Sequence, residues 1–200
     1  MTNEEIIEQL KTRYPDKIEL IEGIKNDPYR MHGGLLSYFY ELNDTQLSTV
    51  LDVACYGGGV VRGVVLAYYD GLNDEQVARI ISVAKYGWEA MQEVRLAYER
   101  GLKEEQIGVI ISIADRGCGA MDQVSLAYSD GLNDEQIDDI LLVSDSAEKM
   151  YEIRFACYNG MSKAQVSEMI EAKESLENMV KIKNYYITLN HESKAGLRRF

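Results

Sequence analysis

The hexapeptide "GLNDEQ" stands at residues 71–76 and again at 131–136, and "GLKEEQ" lies midway between them at 101–106. It is either a repeated ligand site or a repeated hinge, and its residue types decide for the hinge. Gly71, Gly101, Gly131 and, in a variant copy, Gly160 each follow an amphipathic stretch where a left-handed residue ends a helix. The next residue, Leu72, Leu102, Leu132 or Met161, supplies the apolar contact of a Schellman turn. Asn73, Asn133 and Ser162 then cap the following helix, with Gln76, Gln136 and Gln165 at the third helical position that a capping box needs. Asn43 and Gln46 repeat the arrangement upstream. Lys103 interrupts it, because a lysine side chain has no acceptor, so the helix start after it is expected to be the weakest.

The hexapeptide is the most regular part of a longer repeat. "VVLAYYDGLNDEQVARIISVAKYGWEAM" (64–91) aligns with "VRLAYERGLKEEQIGVIISIADRGCGAM" (94–121) and with "VSLAYSDGLNDEQIDDILLVSDSAEKM" (124–150). "IRFACYNGMSKAQVSEMIEAKESLENM" (153–179) follows with one residue deleted, and "LLSYFYELNDTQLSTVLDVACYGGGVV" (35–61) is a degenerate earlier copy. Units of this length cannot bury an apolar face alone and must stack. Within a unit, Val77, Ile80, Ile81 and Ala84 share one helical face, and Trp88, Met91, Val94 and Tyr98 mark a second stripe. Ala67, Ala97, Ala127 and Ala156 recur where neighbouring helices approach closely. The Tyr38, Tyr68, Tyr98 and Tyr128 column reads as core, with hydroxyls reaching the rim.

These patterns predict an all-α fold, an α-solenoid of about five 30-residue antiparallel helical-hairpin repeats with helical end caps. Residues 1–30 are assigned to an N-terminal helical cap, 31–190 to the array and 191–200 to a basic C-terminal tail. Turns are expected near 57, 71, 87, 101, 117, 131, 146 and 160.

The unit "GL-x-x-EQ-I", followed by "W-x-x-M-x-x-V-R", resembles a family of tandem short helical-hairpin repeats in Gram-positive bacterial and mobile-element proteins. Trp88, Met91, Val94, Arg95, Gly101, Leu102, Glu105, Gln106 and Ile107 carry the resemblance, which covers residues 61–161 best. Cys118 and Ala147 stand in place of the tryptophan and Ser125 in place of the arginine. The resemblance implies the repeat fold. It also links the chain by context to small acidic mobile-element proteins that inhibit bacterial defence systems.

Catalytic and metal chemistry finds little footing. His32 and His191 are far apart and lack acids or cysteines at ligand spacing. "YGGGVVRG" (56–63) lacks the ending of a phosphate loop and aligns with the turn inside a hairpin. "DGLNDEQ" lacks the ligand spacing of a calcium loop. No cofactor or metal is expected. Cys55, Cys118 and Cys157 form an odd set without CxxC spacing, as in a reducing compartment. The acidic opening and the lack of a long apolar run lead us to expect a cytoplasmic protein without membrane association.

The formal charge of -12 is concentrated in residues 31–160, which hold 21 acids and 9 bases. Such a surface repels nucleic acid directly and favours a basic protein surface as partner. Between Arg116 and Lys149 there is no basic residue. Glu135, Asp138 and Asp139 are read as one outward helical face, since Ile137, Ile140 and Leu141 point inward. Asp134, Glu135, Asp138, Asp139 and Asp145 are therefore the candidate partner-binding residues. The leading expectation is a non-catalytic helical-repeat protein that binds a protein partner. An acidic phage or mobile-element inhibitor of a defence nuclease, of anti-CRISPR type, is the alternative, with a nucleic-acid-binding enzyme as its partner. An enzyme is the third reading.

Overall fold

The computed structural model describes residues 3–25 and 42–197, and among these every regular element is helical. The first part of the degenerate copy, with Tyr38 and His32, lies outside the described residues. The chain divides into two compact units, Met1–Leu96 and Ala97–Phe200.

The first unit opens with α1 (Asn3–Arg13), a short 3-10 turn and α2 (Ile18–Lys25). Helices α3 (Asp44–Asp52), α4 (Gly58–Tyr69) and α5 (Asp74–Ser82) follow, and α6 (Trp88–Glu99) runs on to the division between the units. Helix α1 packs on α2, and α2 meets the 3-10 turn Ala54–Tyr56. Lys17 reinforces this end by reaching the Asp52 carboxylate and the Ser48 hydroxyl. Trp88 fits because Gly59 faces it: a Cβ built on Gly59 would lie 2.9 Å from the tryptophan Cβ.

The second unit holds α7 (Glu104–Ser112), α8 (Cys118–Ser129), α9 (Asp134–Leu141), α10 (Ala147–Tyr158), α11 (Lys163–Glu171) and α12 (Leu176–Leu197). Here α8 packs on α10, α10 on α12, and α9 on α11, so these helices meet their counterparts two elements later. The recurrent alanines Ala127 on α8 and Ala156 on α10 are fully buried, as are Ala67 on α4 and Ala97 on α6. The backbone of α12 is helical through Leu197, so no helix end marks the sequence boundary at residue 190.

The hinges form as their residues dictate. Gly71, Gly101, Gly131 and Gly160 have φ of 82, 73, 81 and 74°. The N–H of Leu72, Leu102, Leu132 and Met161 donates to Ala67, Ala97, Ala127 and Ala156 respectively, each at 3.1 Å, which closes a Schellman turn. Asn43, Asn73, Asn133 and Ser162 head reciprocal capping boxes with Gln46, Gln76, Gln136 and Gln165. At Lys103 only the glutamine half survives, its backbone N–H donating to Gln106 Oε1 at 2.9 Å.

The turn inside each hairpin is also repeated. A 3-10 segment ends at Gly57, Gly87 and Gly117, with φ of 104, 98 and 95°. The next hairpin is one residue shorter between Asn133 and Ser146 than its two predecessors are between the same positions, which removes that pattern. Helix α9 ends at Leu141, and Ser146, in extended backbone, caps α10 by accepting from the Lys149 N–H at 3.3 Å.

Candidate functional site

Two charged columns run along the second helices of the hairpins. At the end of α4, α6 and α8 stand Asp70, Arg100 and Asp130; on the next hairpin's second helix stand Arg95, Ser125 and Arg154. In the first unit the Arg95 guanidinium bonds the Asp70 carboxylate, with the two side chains 14% and 27% exposed. In the second unit Arg154 binds Asp130 at 2.6 Å and also reaches Gln123 Oε1 at 3.0 Å. Between these two junctions the polarity is reversed. Arg100 occupies the aspartate position and donates to Ser125 Oγ at 2.6 Å and to Asp122 at 3.2 Å. The serine that departs from the repeat pattern is thus the partner of an arginine that also departs from it. The pairing is visible once both columns are aligned, a comparison that inspection of single repeats misses.

Asp139 corrects the sequence reading. It does not share the outward face of α9: its side chain is 6% exposed and accepts a hydrogen bond from Lys163 Nζ of α11 at 2.6 Å. The 3.6-residue period misled because α9 packs on two sides, on α10 and on α11, and Asp139 points toward the second. Lys163 also stands 3.5 Å from Glu135. The Asp139 charge and, chiefly, burial push the nearby Cys157 thiol up to about 11. Cys157 is buried, whereas Cys55 and Cys118 are exposed and none of the three is paired.

The other candidate residues remain on the surface. Asp134 and Asp138 are exposed and, among the described residues, make no ion pair; both raise the pKa of the buried Tyr128, after desolvation as the main cause. Glu135 is 72% exposed. Asp145 is 60% exposed, lies beyond the end of α9, and is held below the usual carboxylate range by Lys149 at 2.8 Å. The structure therefore brings Asp134, Glu135 and Asp138 onto one exposed helix, sets Asp145 apart in the following turn and removes Asp139 from the set.

The tyrosine column behaves as expected where it is described. Tyr68 and Tyr128 are buried, and Tyr98 donates to Glu104 at 3.2 Å. At the chain's end Lys183 of α12 pairs with Glu152 of α10 and lies 4.8 Å from the Phe155 ring centre, which clamps these two helices together. Among the described residues no group of three or more His, Cys, Asp or Glu side chains is arranged to hold a metal ion. No described helix is long and apolar enough to cross a membrane. No protein-family model matches the sequence, and comparisons with curated proteins and with solved structures find no match.

Proposed function

We propose that the chain is a non-catalytic helical-repeat protein whose hairpins continue as one solenoid, and that it binds a basic protein surface through the exposed carboxylates of α9. The observation that carries this reading is the contrast between two kinds of charge. Asp70, Asp122, Asp130 and Asp139 are consumed in partly or fully buried pairs between hairpins. Asp134 and Asp138 have no such partner and, with Glu135, leave one short helix negative on its exposed side. Carboxylates in that arrangement speed association with a basic surface and lose effect as salt screens them. A narrower form of the reading makes the chain an inhibitor that occupies the nucleic-acid channel of a defence nuclease by presenting carboxylates in place of phosphates.

The test uses a triple variant, Asp134→Lys, Glu135→Lys and Asp138→Lys, which leaves Asp139 and its lysine intact. Glu75→Lys with Glu105→Lys serves as a control of similar charge change elsewhere. A protein captured at low salt by the parent and by the control, and lost by the triple variant, supports the reading. Equal capture by all three would discard α9 as the docking face. Inhibition of a purified defence nuclease by the parent, relieved by excess DNA and absent from the triple variant, would select the narrower form.

A further inference from the structure

We infer that the reversed junction, Arg100 with Ser125 and Asp122 between Asp70–Arg95 and Asp130–Arg154, is a register key that stops the repeats from stacking in the wrong order. The hazard it answers is written in the sequence. The segments at 66–76, 96–106 and 126–136 differ at few positions, so a helix of one hairpin presents much the same apolar surface as its copy one unit away. Chains of near-identical units misassemble by pairing with the wrong copy, and apolar packing alone does not distinguish the copies.

The charges distinguish them. If α6 were skipped and α8 stacked on α4, Asp70 would meet Ser125 and Asp122, a carboxylate against a carboxylate with no cation supplied. If α8 were skipped and α10 stacked on α6, Arg100 would meet Arg154, two guanidinium groups in one slot. Both errors that skip a helix at the middle junction thus bring like charges together, while the native order pairs every one of these residues. The slots are dry enough for this to count: the arginines are 14%, 25% and 15% exposed and their aspartates 27%, 33% and 27%. Repulsion between partly buried charges is screened far less than on an open surface. Had all junctions carried aspartate followed by arginine, either error would satisfy its charges as well as the native order does. The inverted middle junction removes that degeneracy.

The experiment makes the junctions uniform. Arg100→Asp, Asp122→Gln and Ser125→Arg together copy into the middle junction the residue types of Asp70, Gln92 and Arg95. Refolding is followed by double-jump mixing, in which native molecules are recognised by their slow unfolding, with prolyl isomerase present to remove phases from Pro15 and Pro28. The uniform variant is expected to reach a native state as stable as the parent's in urea. Its slow-refolding fraction should rise by about threefold or more. A conservative variant, Arg100→Lys with Asp122→Glu, keeps the charge order and is expected to refold like the parent. An unchanged slow fraction in the uniform variant, or an equal rise in the conservative one, overturns the inference. Should the uniform variant fail to fold, the parent alone decides. Its slow fraction should grow when refolding is carried out in molar salt, and a fraction indifferent to salt would refute the key.

Discussion

Lys163 sits at the first helical position of α11, and its ammonium lies 2.6 Å from the Asp139 carboxylate, whose side chain is 6% exposed. The equivalent helix starts carry Asp44, Asp74, Glu104 and Asp134, the sign that a helix N-terminus favours. A lysine at that place is explained by the buried acid across the helix pair. The two ends of the bond are unequally placed, since Lys163 is 53% exposed. Removing the lysine strands a buried carboxylate, whereas neutralising the acid lets the lysine turn to water. Lys163→Met is therefore expected to lower stability more than Asp139→Asn, which should cost about 1 kcal/mol. Urea denaturation of the two variants checks the order, and the reverse order would mean that Asp139 is held by something other than Lys163.

The weak cap at Lys103 is a place where stability can be gained. Gln106 has no side-chain acceptor to cap its backbone N–H, unlike Gln76 and Gln136, which bond Asn73 and Asn133 at 3.0 Å. Lys103→Asn should stabilise the chain by about 0.5–1 kcal/mol, and Asn73→Ala or Asn133→Ala should cost about 1 kcal/mol. Thermal unfolding of the three variants measures both directions. Capture of any partner protein should be unaffected by them, because these residues end and start helices and do nothing else.

Gly59→Ala is expected to destabilise despite the better helix propensity of alanine. Propensity favours the change by about 0.5–1 kcal/mol, but the added methyl would press on Trp88 at a distance real side chains do not tolerate. Overpacking of this kind costs about 1–3 kcal/mol. Trp88→Gly in the same chain, which removes the Cβ that the new methyl would meet, should turn the Gly59→Ala effect from loss to gain. A double-mutant cycle by denaturant unfolding reads the sign change directly.

Alkaline pH should weaken the second unit through Cys157. Its thiol is raised from 9.0 to about 11, by burial first and by the Asp139 charge second. A raised folded-state value gives stability that is complete below the unfolded value and disappears as pH climbs through the folded one. The loss therefore falls between pH 9.0 and about 11 and amounts to about 2 kcal/mol. Lys163, raised by its bond to Asp139, shifts stability in the same direction. Urea midpoints over this range should fall less steeply for Cys157→Ala than for the parent. In the native protein a thiol reagent should label Cys55 and Cys118 and spare Cys157.

The hinge was legible because each of its residues acts on its own backbone: a glycine at positive φ, an asparagine cap and a glutamine that returns the bond are local requirements. The buried alanines and tyrosines followed from a period of the helix. What the sequence concealed depends on the next hairpin. Asp139 looks like the third acid of a solvated face until α11 is laid against it with Lys163, and periodicity along one helix carries no information about a second neighbour. Arg100 and Ser125 each look like a lapse from the repeat, and only their contact makes them a pair. Of the acids of α9 that remained exposed, Asp134 and Asp138 make no ion pair among the described residues, and Glu135 meets Lys163 only at 3.5 Å with its own side chain 72% exposed.

The turn at residues 142–146 has absorbed a one-residue deletion relative to its copies, while the Gly-Leu hinges keep their length throughout. One connector of the hairpin is thus elastic in length and the other is not. A peptide tag or a fluorescent label grafted between Val143 and Asp145 should be carried without penalty, whereas the same graft between Gly131 and Asn133 would separate a helix stop from the cap it hands the chain to. The repeat has a natural insertion port, and it opens beside the acidic helix.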